Sequence, residues 1–234
     1  MKKALKIFYD GVNFEKFANH PDVVGFTTNT SLMAEGGESD YNEFAAEALD
    51  HANGRPISFQ VWADDVGEMR EQVKTISCWG DNVYVKIPIV TCNGDSTLEL
   101  IKEMHDDGVK VNVTVVHSLE QIWSLKDLFN KETPVIVSVF AGGISDTGLD
   151  PQQIVKKCST LFEEYSNVEI LWAGCQRVLN TIDALRCGCD IITVPDAIMK
   201  KLNRLNNEAD LNELAISKSK LFRDDAVKLG LRFS

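Results

Sequence analysis

The chain has 234 residues, 44% of them hydrophobic and 25% charged, the balance of a globular protein and not of a disordered, collagenous or coiled-coil one. A formal net charge of −11, with no Lys/Arg cluster, argues against nucleic acid or an anionic membrane as partner. No apolar run approaches the ~20 residues of a membrane span. Lys6 and Asp10 interrupt any signal-peptide core at the start, so a cytoplasmic protein is the expectation.

Short apolar runs recur at residues 6–9, 23–27, 57–62, 83–88, 110–116, 134–140, 168–173 and 190–194. Several are apolar on successive residues, which is how a strand buried on both faces of a parallel sheet reads. Helical patterns lie between them. Asp40 with Glu43, Ser96 with Glu99 and Ser118 with Gln121 have capping-box spacing, and Asp150-Pro151 places proline in a first helical turn. Gly108 and Gly188 fall where helices should stop.

The pattern predicts eight β-α units, then an extra helix from about Glu208 to Leu229. The expected fold is α/β, a single (β/α)8 TIM barrel over residues 1–207, with a C-terminal helix in 208–234 as a subunit contact. An open doubly wound sheet is the second arrangement. The first turn, Asp10-Gly11-Val12-Asn13, lacks the GxGxxG fingerprint that such a sheet needs for a dinucleotide, which also disfavours an oxidoreductase. The extra helix places Leu211, Leu214, Ala215, Leu221, Phe222 and Ala226 against Glu213, Lys218 and Asp224. A finished barrel does not need that apolar face, so a homo-oligomer is expected.

The six cysteines are expected to be buried free thiols, and Cys187-Gly188-Cys189 has no second pair at metal-ligand spacing. His20, His51 and His105 fall on helices or helix ends and are expected to be solvated, while His117 should lie near the barrel mouth.

In a barrel, chemistry gathers at the C-terminal ends of the strands. The polar residues there are Asp10, Thr28, Asn29, Gln60, Lys86, Thr114, Ser138 and Thr193. Lys86 stands out. Counting by two along 83–88, Tyr84, Lys86 and Pro88 share one face, and Val83, Val85 and Ile87 the helix-facing one. A lysine directed into the barrel is rarely buried without a use. Burial favours its neutral amine, a nucleophile for a carbonyl carbon. An ion pair with Asp10 is the structural alternative. Asp10, Gln60 and Thr114 are available for proton transfer, and Asn29 and Ser138 for binding hydroxyls.

The runs Gly25-Phe26-Thr27-Thr28-Asn29-Thr30-Ser31, Ile57-Ser58-Phe59-Gln60-Val61 and Val83-Tyr84-Val85-Lys86-Ile87-Pro88 resemble the transaldolase family. So do Asn112-Val113-Thr114 and Cys189-Asp190-Ile191-Ile192-Thr193-Val194-Pro195, and the short transaldolase and fructose-6-phosphate aldolase branch is the most similar. The resemblance implies a Schiff-base lysine at Lys86 and an acid/base aspartate at Asp10. It further implies a donor-hydroxyl asparagine at Asn29, a water-holding threonine at Thr114 and a donor-contacting serine at Ser138. It implies a barrel without metal or cofactor, acting on a sugar or sugar phosphate, often in decameric rings whose C-terminal helix reaches a neighbour.

Departures accompany the match. Thr30 replaces the proline of TTNPS. Gln60 is the aldolase choice at the water-binding position, whereas Phe140 is the transaldolase choice where aldolases carry tyrosine. Gly143 and Gln176 stand where the family has phosphate-binding arginines, and Gly174 where it has serine. Arg177, one place on and at the start of a predicted helix, is the candidate replacement. The expected activity is transfer of a dihydroxyacetone or related ketol unit by a Schiff base, with weakened dependence on a terminal phosphate. A free aldolase and a catalytically inactive sugar-binding barrel are the alternatives.

Overall fold

Each apolar run becomes a parallel strand paired to its neighbours in sequence. The computed structural model describes residues 4–205 and 211–232. Its strands are β1 (Lys6–Asp10), β2 (Val23–Thr27), β3 (Ile57–Gln60), β4 (Val83–Pro88), β5 (Val111–Val116), β6 (Val135–Val139), β7 (Val168–Trp172) and β8 (Ile191–Pro195). They pair in chain order, and β1 pairs with both β2 and β8, which closes the barrel. An open doubly wound sheet is thereby excluded, because it would leave β1 or β8 at an edge or pair them out of order.

The intervening helices are α1 (Phe14–Phe17), α2 (Thr30–Gly36), α3 (Tyr41–Ala52), α4 (Val66–Ser77), α5 (Leu98–Asp106) and α6 (Leu119–Ser124). They continue with α7 (Ala141–Asp146), α8 (Pro151–Leu161), α9 (Leu179–Arg186) and α10 (Asp196–Leu205), followed by α11 (Leu211–Lys228). Side-chain caps explain several starts. Asp40 accepts the amides of Asn42 and Glu43, and Ser118 and Gln121 form a reciprocal capping box. Asp150 caps α8, with Pro151 in its first turn. Gly108 and Gly188, at φ of +86° and +82°, end α5 and α9 in the left-handed conformation that glycine adopts without steric cost.

One start differs from its capping-box spacing. α5 begins after Thr97, whose hydroxyl donates to the Pro88 carbonyl, while Ser96 Oγ accepts the Leu98 amide at 3.3 Å. Thr97 is buried and tied back to the strand, so the helix starts one residue later than the Ser96–Glu99 spacing suggests. β3 also ends at Gln60, two residues short of the apolar run, and Trp62 is exposed.

The barrel interior is layered. Phe8, Ile136, Leu171, Ala173 and Ile191 form a buried cluster, with Tyr84 and Phe140 packed against it. Room for the Phe8 ring comes from Gly25, where a Cβ would stand 2.5 Å from ring atoms. The layer above this cluster, at the C-terminal ends of the strands, is polar and holds the site described below.

The chain forms two compact units, Met1–Ile198 and Met199–Ser234. The expected boundary at 207/208 and the expected helix start at Glu208 lie outside the described residues. No residue of α11 is buried, and its exposed apolar side chains include Leu211, Leu214, Leu221 and Phe222. Among the described residues no helix is long and apolar enough to cross a membrane. All six cysteines are free; Cys158, Cys175, Cys187 and Cys189 are buried, whereas Cys78 and Cys92 are exposed, contrary to the expectation for all six. His105 is a second correction. It is fully buried, with Nε2 accepting the Asn130 amide at 3.1 Å and its ring edge-on to Phe129.

Candidate active site

Six candidate site residues line one cavity of about 190 Å³ at the C-terminal mouth of the barrel. They are Asp10, Asn29, Lys86, Thr114, Ser138 and Phe140. Thr27, Leu171, Ala173, Gly174 and Thr193 complete its wall. A volume below the ~300–1,000 Å³ usual for drug-sized ligands suits a unit of a few carbons.

Lys86 is 6% exposed and leaves β4 on the inner face. Its Nζ donates to the Thr28 carbonyl at 3.0 Å. Among the described residues it makes no ion pair with a carboxylate, so the bonded alternative to a reactive amine is not the arrangement found. Burial pushes the Lys86 pKa below the ordinary lysine value, and the charge of Asp10 opposes that shift in part. Asp10, at the end of β1, is moved the opposite way. Desolvation raises its carboxyl above the usual range, while Lys86 and a 2.7 Å hydrogen bond from Thr27 Oγ1 pull it back. Both shifts bring each group nearer to neutrality, and thus nearer to exchanging protons at moderate pH.

Thr114 is fully buried, and its Oγ1 has no hydrogen-bond partner among the described residues. It sits beside an irregularity where the β5–β6 register shifts between Val113 and Val116. Within that bulge Val115 has φ of +64°, a costly conformation for a β-branched residue and one that recurs beside functional sites.

The two residues expected to bind hydroxyls, Asn29 and Ser138, are fixed by neighbours. Asn29 caps α2, its Oδ1 accepting the Leu32 amide at 2.9 Å, which leaves its amide hydrogens for another partner. Ser138 Oγ donates to Asn112 Oδ1 at 2.7 Å, and Asn112 Nδ2 donates to Ser58 Oγ at 3.1 Å. This buried chain crosses from β6 through β5 to β3. Asn112, Thr27 and the Thr28 carbonyl were not assigned these supporting roles from sequence. Asn112 was findable, since two residues before Thr114 is the same face of the strand.

Two expected residues lie elsewhere. Gln60 is level with Lys86 in the β3–β4 register but does not line the cavity. Arg177 is exposed and also outside the lining. α9 begins at Leu179, later than the sequence suggests, and the Gln176 and Arg177 amides donate to Asn180 Oδ1 at 3.1 and 3.0 Å. The free amides expected at that turn are therefore taken. The Gln176 side chain is occupied as well, donating to both carboxylate oxygens of Asp146 at 3.0 Å.

Among the described residues no group of three or more His, Cys, Asp or Glu side chains is placed to hold a metal ion. A closed parallel barrel whose mouth gathers a buried lysine, a desolvated carboxylate and the polar side chains of Asn29, Thr114 and Ser138 has the framework of a (β/α)8 enzyme. Residues 7–230 match the family model described as Transaldolase/Fructose-6-phosphate aldolase, and the chain belongs to that family. A "Probable transaldolase" of Ruegeria sp. (strain TM1040) is 33% identical over 202 residues, covering 85% of this chain and 88% of that protein. A "Probable transaldolase" of Nitrosopumilus maritimus is 30% identical over 203 residues, covering 85% and 87%. Among solved structures, the tryptophan synthase α-subunit of Pyrococcus furiosus aligns with a TM-score of 0.58 at 11% identity, covering 89% of this chain and 94% of its own. At that identity the likeness is one of fold alone.

Proposed function

We propose that the protein is a Schiff-base transferase that moves a dihydroxyacetone or related ketol unit between sugars. The observation that carries this reading is Lys86, 6% exposed, in one cavity with Asp10 and free of any carboxylate ion pair among the described residues.

The neutral amine of Lys86 adds to the ketose carbonyl, and loss of water gives an iminium. Asp10 takes the proton from the hydroxyl next to the scissile carbon–carbon bond. That bond breaks, its electron pair flows into the iminium, and an aldehyde leaves. A three-carbon enamine stays on Lys86. The acceptor aldehyde then reacts in the reverse sense, with Asp10 returning the proton. Thr114 Oγ1 serves as a hydrogen-bonding group for the water of Schiff-base formation and release. The Asn29 amide donates to a hydroxyl of the three-carbon unit, and Ser138 Oγ, already donating to Asn112, accepts from one.

The test is borohydride reduction in the presence of a ketose, followed by peptide mass spectrometry. A secondary-amine adduct on Lys86 and on no other lysine is expected, and Lys86→Ala should abolish both adduct and turnover. An adduct on another lysine would refute the reading. Transfer to an added aldose, against release of free dihydroxyacetone, separates the transferase from the aldolase.

A further inference from the structure

The loop after β5 carries a histidine that the chemistry above does not use. His117 Nδ1 lies 2.8 Å from the Val115 carbonyl, which only accepts, so Nδ1 carries the hydrogen. The His117 backbone amide is held in turn by Gln121 Oε1 at 2.8 Å. The ring packs on Phe140, centroids 5.3 Å apart, and Phe140 lines the cavity that holds Lys86. Nε2 is left without a partner among the described residues. It stands 2.9 Å from the point where a Cβ on residue 143 would be. The imidazole thus fills the space that a side chain on residue 143 would need, and Gly143 and His117 are matched to one another.

The charges on the surrounding loops are equally specific. The cavity wall contains no arginine, and its one cation is Lys86, which the chemistry uses. Beyond β6 and β7 the side chain of Gln176 is held by the carboxylate of Asp146, an anion that disfavours a second anion nearby. Neither His117 nor Arg177 lines the cavity, but His117 packs on the lining residue Phe140, whereas Arg177 is exposed. A polar imidazole nitrogen beside an arginine-free, partly acidic loop pair suits an uncharged hydroxyl far better than a phosphate.

We propose that His117 is a specificity-determining residue for the acceptor: Nε2, above Gly143, hydrogen-bonds a hydroxyl of an unphosphorylated aldose. This rests on the Schiff-base reading for the reaction itself, and trapping on Lys86 in the unaltered protein tests that reading separately. The experiment compares kcat/KM for a four-carbon aldose and its terminal phosphate ester in three proteins.

The unaltered protein should favour the unphosphorylated aldose. In His117→Phe the ring still packs on Phe140 but cannot hydrogen-bond, and kcat/KM for the aldose should fall about three- to tenfold, the range for one hydrogen bond. The phosphate ester should lose less. His117→Gln, which keeps a polar group, should recover part of the loss and so separates lost bonding from misfolding. The paired variant His117→Ala/Gly143→Arg makes room for a guanidinium and should move the ratio toward the phosphate ester by tenfold or more. A phosphate preference in the unaltered protein would overturn the proposal. So would equal losses for both acceptors in His117→Phe.

Discussion

Asp10 and Lys86 line one cavity, and the charge of each opposes the effect of burial on the other. The Lys86 pKa is held down by burial and propped up by the Asp10 charge; the Asp10 carboxyl is held up by burial and lowered by Lys86. Asp10→Asn removes the prop, so the amine should lose its proton at a lower pH than in the unaltered protein. Labelling of Lys86 by an amine-selective reagent, followed against pH, should show its midpoint moved down. Turnover should fall by about 10²–10⁴, the usual contribution of a general acid–base group. A midpoint that stays in place would mean that the two groups do not feel each other, and near-normal turnover would reduce Asp10 to a structural residue.

His105 should make stability depend on pH through a group other than Asp10 and Lys86. Its burial lowers the folded-state pKa below the ordinary value of 6.5. As pH falls through ~6.5 the unfolded chain takes up a proton that the folded protein refuses, so the folded state loses ground. The loss should run at up to about 1.4 kcal/mol per pH unit until the folded-state pKa is reached, and then level off. His105→Gln keeps an acceptor for the Asn130 amide and does not titrate. Denaturant unfolding at a series of pH values should therefore show a slope below pH 6.5 that this variant lacks. Parallel curves for the two proteins would assign the slope to other groups.

Gly142 tests the packing behind the polar mouth. A Cβ there would stand 2.3 Å from the Gly174 carbonyl oxygen and 3.0 Å from its Cα, both backbone atoms with nowhere to rotate. Gly174 itself has φ of +75° and lines the cavity. Gly142→Ala should cost about 1–3 kcal/mol, as overpacking does, and lower Tm by about 2–4 °C for each kcal/mol. It should also weaken substrate capture, because Gly174 must move. An unchanged Tm would mean that the loops after β6 and β7 do not approach this closely.

Much of this site was legible because strand alternation is strict. Lys86 points inward by parity with Tyr84 and Pro88, and the chemistry of a buried lysine follows from that position; the same parity, applied from Thr114, would have reached Asn112. The family resemblance then supplied roles for Asp10, Asn29 and Thr114 that parity could not. What stayed hidden depends on contacts between segments distant in sequence. Thr97 takes the N-cap position of α5 in place of Ser96, without a side-chain cap bond, and its hydroxyl donates to the Pro88 carbonyl across the turn. His105 reads as a polar helix-end residue, yet the loop carrying Asn130 and Phe129 folds over it. Arg177 reads as a helix-start arginine, but Asn180 takes the turn's amides and the helix begins further on. The match of His117 to Gly143 is likewise invisible in one dimension, since it sets a residue beyond β5 against the first turn of α7.

The last prediction concerns α11. Its apolar side chains are exposed in the single chain: Leu211 at 75%, Leu214 at 57%, Leu221 at 48% and Phe222 at 69%. Leaving such a row in water forgoes roughly 25 cal/mol for each Å² of apolar surface that a partner would cover. The barrel sheet is closed by β1 and β8 without this helix, so its apolar side chains are available to another copy of the chain. The protein should sediment as a homo-oligomer at micromolar concentration. Truncation before Glu208 should dissociate it or lower its Tm. Leu221→Glu with Phe222→Glu should do the same in the full-length chain, because a buried unpaired carboxylate is costly where a leucine or phenylalanine had packed. The two variants guard against different errors: truncation removes backbone that the fold of residues 196–205 could need, whereas the paired glutamates leave the chain length intact. Sedimentation as a monomer by the full-length protein would refute this role for the helix. An oligomer that survives both changes would place the subunit contact on the barrel.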